Sequence, residues 1–157
     1  MSYEEIKAAF EEHLKQADYI KNEIRFRILF ILYMNHFSEE LGRKKQTSGV
    51  IKQADLEYCD RRILDGEIVY LKDSGLVKRV QPGGYSIPYV MMITRQGIDK
   101  VNKWISELIE ILREVSNSDY NQVMAVSGKA NKLSEIWRIF NQNEHLRKTF
   151  FKDDYLA

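Results

Sequence analysis

Apolar positions along the first 37 residues predict two consecutive helices. Over residues 3–17 they recur at four-residue steps and form a single helical stripe, made of Ile6, Phe10 and Leu14. Over residues 18–37 apolar side chains occupy nearly every side, which is typical of a central, buried helix. The basic and polar run RKKQTSG that follows Gly42 indicates a surface loop.

Two short helices are expected after this loop. The first covers about residues 50–56, and the second runs from about 60 to 74 after a turn at 57–59. Asp60 is suited to cap the second helix, and Gly75 is suited to end it because glycine accepts the left-handed backbone found there. A step of 100° per residue places Leu64, Ile68 and Leu71 on one face of this helix, which should be buried.

A β-hairpin is predicted directly after the second of these helices. Its strands should cover residues 76–80 and 85–93, because two β-rich runs flank the tight-turn sequence QPGG. Pro88 lies within the second run and has no N–H to donate. This strand is therefore expected at an edge of the sheet or with a bulge.

The most regular pattern belongs to a helix expected over residues 94–117, with Thr94 as its cap. Its apolar residues alternate between three- and four-residue steps, which is the spacing of a heptad seam. The seam and the tryptophan that widens it are expected to form a dimer interface: Ile98, Val101, Trp104, Ile105, Leu108, Leu112 and Val115. The alternative is that this helix packs within its own chain, on the first helix or on the C-terminal tail. Helices are expected in that tail at 131–140 and 144–151.

Together these elements predict a mainly α fold with a small β-hairpin. The expected organisation is an N-terminal amphipathic helix at residues 1–17, a central domain at 18–93, a long helix at 94–117 and a helical tail at 118–157. With 44% hydrophobic and 30% charged residues, the chain has enough apolar side chains for a core and should be soluble.

Composition also bears on where in the cell the protein is expected. No basic segment precedes an apolar stretch as it would in a signal peptide, and the longest apolar run, at about 28–34, is too short to span a bilayer. Cys59 is the only cysteine, so no disulfide and no cysteine-based zinc site can form within one chain. These features favour a cytoplasmic protein without a membrane partner.

Charge is distributed unevenly although the formal net charge is only +1. Residues 1–24 carry six acidic and three basic side chains, whereas residues 43–79 carry nine basic and six acidic ones. A locally basic segment is the minimum that binding to nucleic acid requires.

Three segments carry a family resemblance: residues 67–77 (EIVYLKDSGLV), the hairpin that follows, and residues 93–97 (ITRQG). Within the order of elements over residues 24–112, they resemble the winged helix-turn-helix superfamily, in particular small transcription regulators of the MarR, PadR and archaeal types. The resemblance implies that helix 60–74 is a recognition helix in the major groove and that the hairpin tip at 81–85 touches the DNA backbone or minor groove. If the heptad seam joins two copies, their recognition helices would meet two half-sites about one turn of DNA apart.

The resemblance makes the outer face of helix 60–74 a candidate DNA-reading surface. This face holds Arg62, Gly66, Val69 and Asp73, flanked by Asp65 and Tyr70. Arg62 is suited to two hydrogen bonds with guanine, and Gly66 would let the helix backbone approach the DNA. Asp65 and Asp73 would instead repel phosphates.

Basic residues around this face are the other candidates for DNA binding. They would hold phosphates from the loop, the short helix, the recognition helix and the hairpin: Arg43, Lys44, Lys45, Lys52, Arg61, Lys78 and Arg79. The alternative for each is an ordinary solvated surface charge. Tyr70 and Tyr85 are expected to serve packing.

No catalytic motif is found in the sequence. His13, His36 and His145 lie far apart without the spacing of metal ligands, and no glycine-rich phosphate loop is present. We therefore expect no enzyme and no cofactor.

Three hypotheses about function follow from these features. The leading one is a homodimeric transcription regulator that binds double-stranded DNA. The second is a winged-helix module that binds proteins in a larger assembly, favoured by the acidic side chains on the exposed helix face. The third is a ligand-sensing regulator with Trp104, Tyr33 and Trp137 around a pocket, although core packing also explains these residues.

Overall fold

The computed structural model of the chain describes residues 2–37, 45–79, 87 and 90–152, and it describes only the backbone of residues 10–20 and 45. Within these ranges it contains seven helices and three short strands. The fold is mainly helical with one small antiparallel sheet, which confirms the predicted α+β class.

The first helix, α1, is continuous from Tyr3 to His36. The predicted division into helices 3–17 and 18–37 is therefore wrong, since no glycine or proline interrupts this stretch. A capping box begins the helix: the Ser2 hydroxyl accepts from the Glu5 N–H at 3.2 Å, and the Glu5 carboxylate accepts from the Ser2 N–H at 3.3 Å. As expected for the central helix, every residue from 26 to 33 is buried.

Two shorter helices follow, α2 (Thr47–Gln53) and α3 (Arg61–Asp73). The first lies three residues closer to the N-terminus than the predicted 50–56. The second confirms the prediction, because the Asp60 side chain accepts from the Arg62 N–H at 2.8 Å and caps the helix. Gly75, just past its end, has the expected positive φ of 77°.

The sheet has three strands, β1 (Lys45–Gln46), β2 (Val77–Arg79) and β3 (Val90–Ile93), in the antiparallel order β1-β3-β2. The strand β3 is therefore central, so the edge position is wrong, and the alternative of a bulge at Pro88 lies outside the described residues. The strand β1 was not predicted from the sequence, because a strand of two residues is too short to show an alternating pattern. The predicted turn QPGG, Tyr85 and Pro88 lie outside the described residues.

The fourth helix, α4 (Arg95–Val115), begins directly after β3. Its first turn packs tightly against the turn that follows α3, and we call this contact the interlock. The Thr94 hydroxyl donates to the Gly75 carbonyl at 2.6 Å and accepts from the Gly97 N–H at 3.1 Å. A Cβ atom on Gly97 would lie 2.3 Å from the Leu76 carbonyl oxygen, so only glycine fits there. Gly97 belongs to the ITRQG segment that carried the family resemblance. A glycine is needed at this position because the segment packs directly against the turn at Leu76.

The C-terminal tail forms α5 (Asn117–Ala125), α6 (Lys129–Gln142) and α7 (Glu144–Lys152). The last two were expected and α5 was not. These helices pack on α1 and α4, and their apolar residues join the same core as the central helix. Around the buried ring of Phe26, for example, the ring centroids of Phe140 and Phe150 lie 4.8 and 5.1 Å away.

The heptad seam of α4 is used inside one chain. Four of its residues are buried in the common core: Val101, Trp104, Leu108 and Leu112. Ile98, Ile105 and Val115 are half-buried. The expectation that the four buried residues face a second copy is therefore wrong, because α1, α5 and α7 already cover them.

Candidate nucleic-acid interface

The helix α3 turns one face to the core and the other to solvent. Leu64, Ile68 and Leu71 are at most 2% exposed, which confirms the predicted inner face. Arg62, Gly66 and Asp73 of the predicted outer face are exposed, and Val69 is half-buried. The side chains of this outer face are thus free of the core.

One edge of α3 is attached to α1 by charged and aromatic groups. The Arg25 guanidinium forms an ion pair with the buried carboxylate of Glu67, and it lies 3.7 Å from the centroid of the Tyr70 ring. This contact agrees with the packing role expected for Tyr70. Arg25 and Glu67 were not expected from the sequence to take part in the site, although an arginine inside the apolar run of α1 is a signal that a buried partner exists.

A second ion pair lies on the outer face of α3 itself. The Arg61 Nε lies 3.1 Å from the Asp65 Oδ1, four residues further along the helix. This pair offsets the charge of Asp65, but it also engages a cation that was predicted to hold phosphate. Arg62 makes no ion pair with any residue that the structure describes. It is therefore the cation of α3 that is available to a ligand.

Gly66 lies at the middle of the outer face and has no structural reason to be glycine. A Cβ atom added there would meet no heavy atom within 4 Å, and the backbone has an ordinary helical φ. Glycine inside a helix costs about 0.5–1 kcal/mol relative to alanine. The fold carries this cost without a packing benefit, and the helix backbone is left uncovered at this point.

The remaining predicted basic residues lie on two other elements. Lys52 is exposed on the last turn of α2, and Lys78 and Arg79 are exposed on β2, directly after α3 and its Gly75 turn. Arg62, Lys78 and Arg79 thus lie on two consecutive elements, Arg62 in the first turn of α3 and the other two on β2. Of the loop residues, Arg43 and Lys44 lie outside the described residues, and only the backbone of Lys45 is described.

Behind α3, a buried arginine connects three parts of the fold. The Arg27 guanidinium donates to the Ala54 carbonyl at 3.2 Å, to the Asn141 Oδ1 at 2.7 Å and to the Glu23 carboxylate at 3.0 Å. It thereby joins α1, the turn after α2 and the tail helix α6. Its place within the apolar run of α1 is again the only sequence signal for this role.

The cysteine in the turn before α3 is not an activated nucleophile. Burial raises the pKa of the Cys59 thiol, the Glu23 carboxylate raises it further, and Arg27 partly opposes both. The reactive thiolate is therefore less populated than in an exposed cysteine.

Among the residues that the structure describes, no group of three or more His, Cys, Asp or Glu side chains is placed to hold a metal ion. None of the described helices combines the length and the apolar character needed to cross a membrane.

No family model, curated protein or solved structure matches this chain. The site itself offers three features to a ligand: the exposed cation Arg62, the bare backbone at Gly66 and the two exposed basic residues of β2.

Proposed function

We propose that this chain is a winged-helix protein that binds double-stranded DNA, with α3 in the major groove and β2 near the phosphate backbone. The observation that carries the proposal is the outer face of α3, where Arg62 is unpaired among the described residues and Gly66 leaves the backbone uncovered. A cation beside bare helix backbone suits close approach to base edges and phosphates.

The order of elements supports the winged-helix part of the proposal. A helix pair, α2 and α3, is followed by two antiparallel strands and then by a long helix, with a third strand preceding α2. In this arrangement α3 takes the place of the recognition helix, and β2 and β3 take the place of the wing strands.

Acidic residues weigh against DNA binding less than their number suggests. Three of the six acidic side chains in residues 43–79 have partners inside the fold, since Asp60 caps α3, Asp65 pairs with Arg61 and Glu67 pairs with Arg25. A carboxylate paired with an arginine, as Asp65 and Glu67 are, repels a phosphate less strongly than an unpaired one, whereas the capping bond of Asp60 leaves its charge in place.

A dimer with two α3 helices is part of the proposal, but the seam of α4 no longer supports it. The apolar surface that fits this role lies on the N-terminal part of α1, where Tyr3 is 79% exposed and Ile6 is 53% exposed. We expect light scattering to give a dimer at micromolar concentration, and Ile6→Glu to shift it towards the monomer. A wild-type monomer would refute the dimer without affecting DNA binding by a single chain.

Fluorescence anisotropy with a labelled random-sequence duplex tests DNA binding. We expect micromolar or tighter affinity at about 50 mM salt and a steep loss by about 200 mM, because phosphate contacts release counterions. Each lost phosphate contact should lower the slope of log K against log salt by about 0.9. Lys78→Gln and Arg79→Gln should each show this effect.

Arg62→Gln should weaken binding as well, whereas Arg113→Gln is the matched control. Arg113 is exposed in the last turn of α4, far along the chain from α3 and β2, and no DNA contact is proposed there. Equal affinity of all these variants and the wild type would contradict the proposed surface.

The second candidate function is a winged-helix module that binds a protein. Its specific support is a set of exposed acidic residues without ion pairs among the described residues, Asp55, Glu57 and Asp73. No binding to the duplex even at low salt would favour this function over the first.

A further inference from the structure

A cleft of about 570 Å³ opens between α1, α4, α5 and α6, on a part of the chain that the proposed DNA surface does not use. Its lining is mainly aliphatic and comes from three of these helices: Ile105, Ile109, Val123, Leu133 and Ile136. The volume lies in the range of small-molecule sites, which span roughly 300–1,000 Å³. The other large aromatic residues expected at a pocket, Trp104 and Trp137, lie in the aromatic core instead.

Polar groups in the cleft are few and largely satisfied. The Tyr33 hydroxyl donates to the Asn102 Oδ1, which joins α1 to α4 at the edge of the cleft. The Ser106 hydroxyl donates to the Asn102 carbonyl at 3.2 Å. Because these polar groups hydrogen-bond to one another, the aliphatic side chains of the floor determine which ligands the cleft can bind.

The charged residues that line the cleft itself have one sign, whereas Glu107, Glu110 and Glu114 of α4 line a neighbouring pocket beyond Ser106. Lys129 and Lys132 are the charged residues of its lining, and neither is ion-paired with any residue that the structure describes. The Lys129 Nζ lies 3.7 Å from the ring centroid of Phe37 and 5.2 Å from that of Tyr33, so aromatic faces hold the ammonium group beside the opening. No carboxylate lines the cleft to neutralise the two cations.

We propose that this cleft binds an amphipathic monocarboxylate, with its alkyl body on the aliphatic floor and its carboxylate between Lys129 and Lys132. Burial of the alkyl body provides affinity in proportion to the apolar area removed from water. The two ammonium groups provide charge-assisted hydrogen bonds to the carboxylate and select against neutral and cationic molecules of the same length. This site is independent of DNA binding, since none of its residues lies on α3 or β2.

Isothermal titration calorimetry with octanoate and decanoate, below their micelle concentrations and at neutral pH, tests the proposal. We expect saturable binding at one site, tighter for decanoate, and about tenfold weaker for 1-octanol than for octanoate. In NMR spectra the amides of residues 128–133 should shift with added decanoate. Decyltrimethylammonium should not bind.

The variant Lys129→Gln/Lys132→Gln removes both cations from the opening of the cleft, and with Lys129 it removes the ammonium contact with the Phe37 and Tyr33 rings. It should bind decanoate about tenfold more weakly than the wild type. Its matched control is Lys7→Gln/Lys21→Gln, which changes the net charge equally at exposed positions of α1. Lys7 is 26 residues from Tyr33, about 39 Å along the helix.

Three results would overturn the proposal: no saturable binding, equal affinity for octanoate and 1-octanol, or unchanged affinity in the double lysine variant. A fourth is that the cleft is covered by a second copy of the chain. In that case light scattering would show a dimer that Met124→Glu dissociates, since Met124 is an exposed residue of the lining, and decanoate would not bind.

Discussion

Replacing Gly66 with alanine adds one methyl group to the exposed face of α3. The added atom meets nothing within 4 Å, and the backbone there is already helical, so the folded chain has no strain to absorb. Alanine is the better helix former by about 0.5–1 kcal/mol. For a protein of this size, we expect the melting temperature to rise by about 1–4 °C.

DNA affinity should change in the opposite direction. If the α3 backbone lies against DNA at Gly66, the methyl group must displace a close contact, and overpacking of this kind costs about 1–3 kcal/mol. That corresponds to a Kd roughly 5- to 150-fold higher. A more stable protein with weaker binding is a combination that general unfolding does not produce.

Thermal unfolding and fluorescence anisotropy on the same sample measure both effects. Ser134→Ala is the control, because it places alanine at an exposed position of α6 without touching α3. If Gly66→Ala is stabilised and binds DNA like the wild type, DNA does not approach the backbone at this point. If it is destabilised, the space above Gly66 is filled and this face of α3 is not uncovered.

Three further changes test the fold and the chemistry. Gly97→Ala should destabilise the chain by about 2–3 kcal/mol in urea unfolding, because its Cβ would lie 2.3 Å from the Leu76 carbonyl oxygen; a change like that of Gly66→Ala would contradict the interlock. Phe26→Ala should cost about 3–5 kcal/mol, since it empties the centre of the aromatic cluster; a loss below about 1 kcal/mol would mean that the tail helices do not pack there. Cys59 has a raised pKa, so iodoacetamide should modify the native chain more slowly than the urea-unfolded chain, with a rate that rises at higher pH. Equal rates in the two states would contradict the burial of this thiol.

Local signals in the sequence predicted local structure well. Asp60, Gly75 and Thr94 act through their own backbone conformation or through residues two or three positions away, so their roles can be read from neighbours in the sequence. The continuous α1 shows the limit of this approach. Residues 3–9 of this helix are exposed and residues 26–33 are buried, so a change in the apolar pattern along it reflects burial, whereas only a glycine, a proline or a cap would mark an end.

Distant partners could not be predicted in the same way. The heptad spacing of α4 identified which side of the helix is apolar, but the same stripe is satisfied by another copy or by α5 and α7 of its own chain. Arg25 and Arg27 were not singled out from the sequence, and their position in an apolar run does not identify their partners Glu67 and Asn141, which lie on other helices. For the candidate site, the sequence indicated Arg62 and Gly66, and the structure added the ion pair that engages Arg61.

The hydrogen bond between Arg27 and Asn141 joins residues 114 positions apart, and this bears on how the chain folds during synthesis. At roughly 5–20 residues per second, a ribosome needs about 6–23 s to add that interval. Throughout this time Phe26 and its apolar neighbours on α1 lack the rings of α6 and α7 that cover them. The nascent chain therefore presents an apolar helix surface to the cell before its core can close, and chaperones that recognise such surfaces have a window in which to bind it.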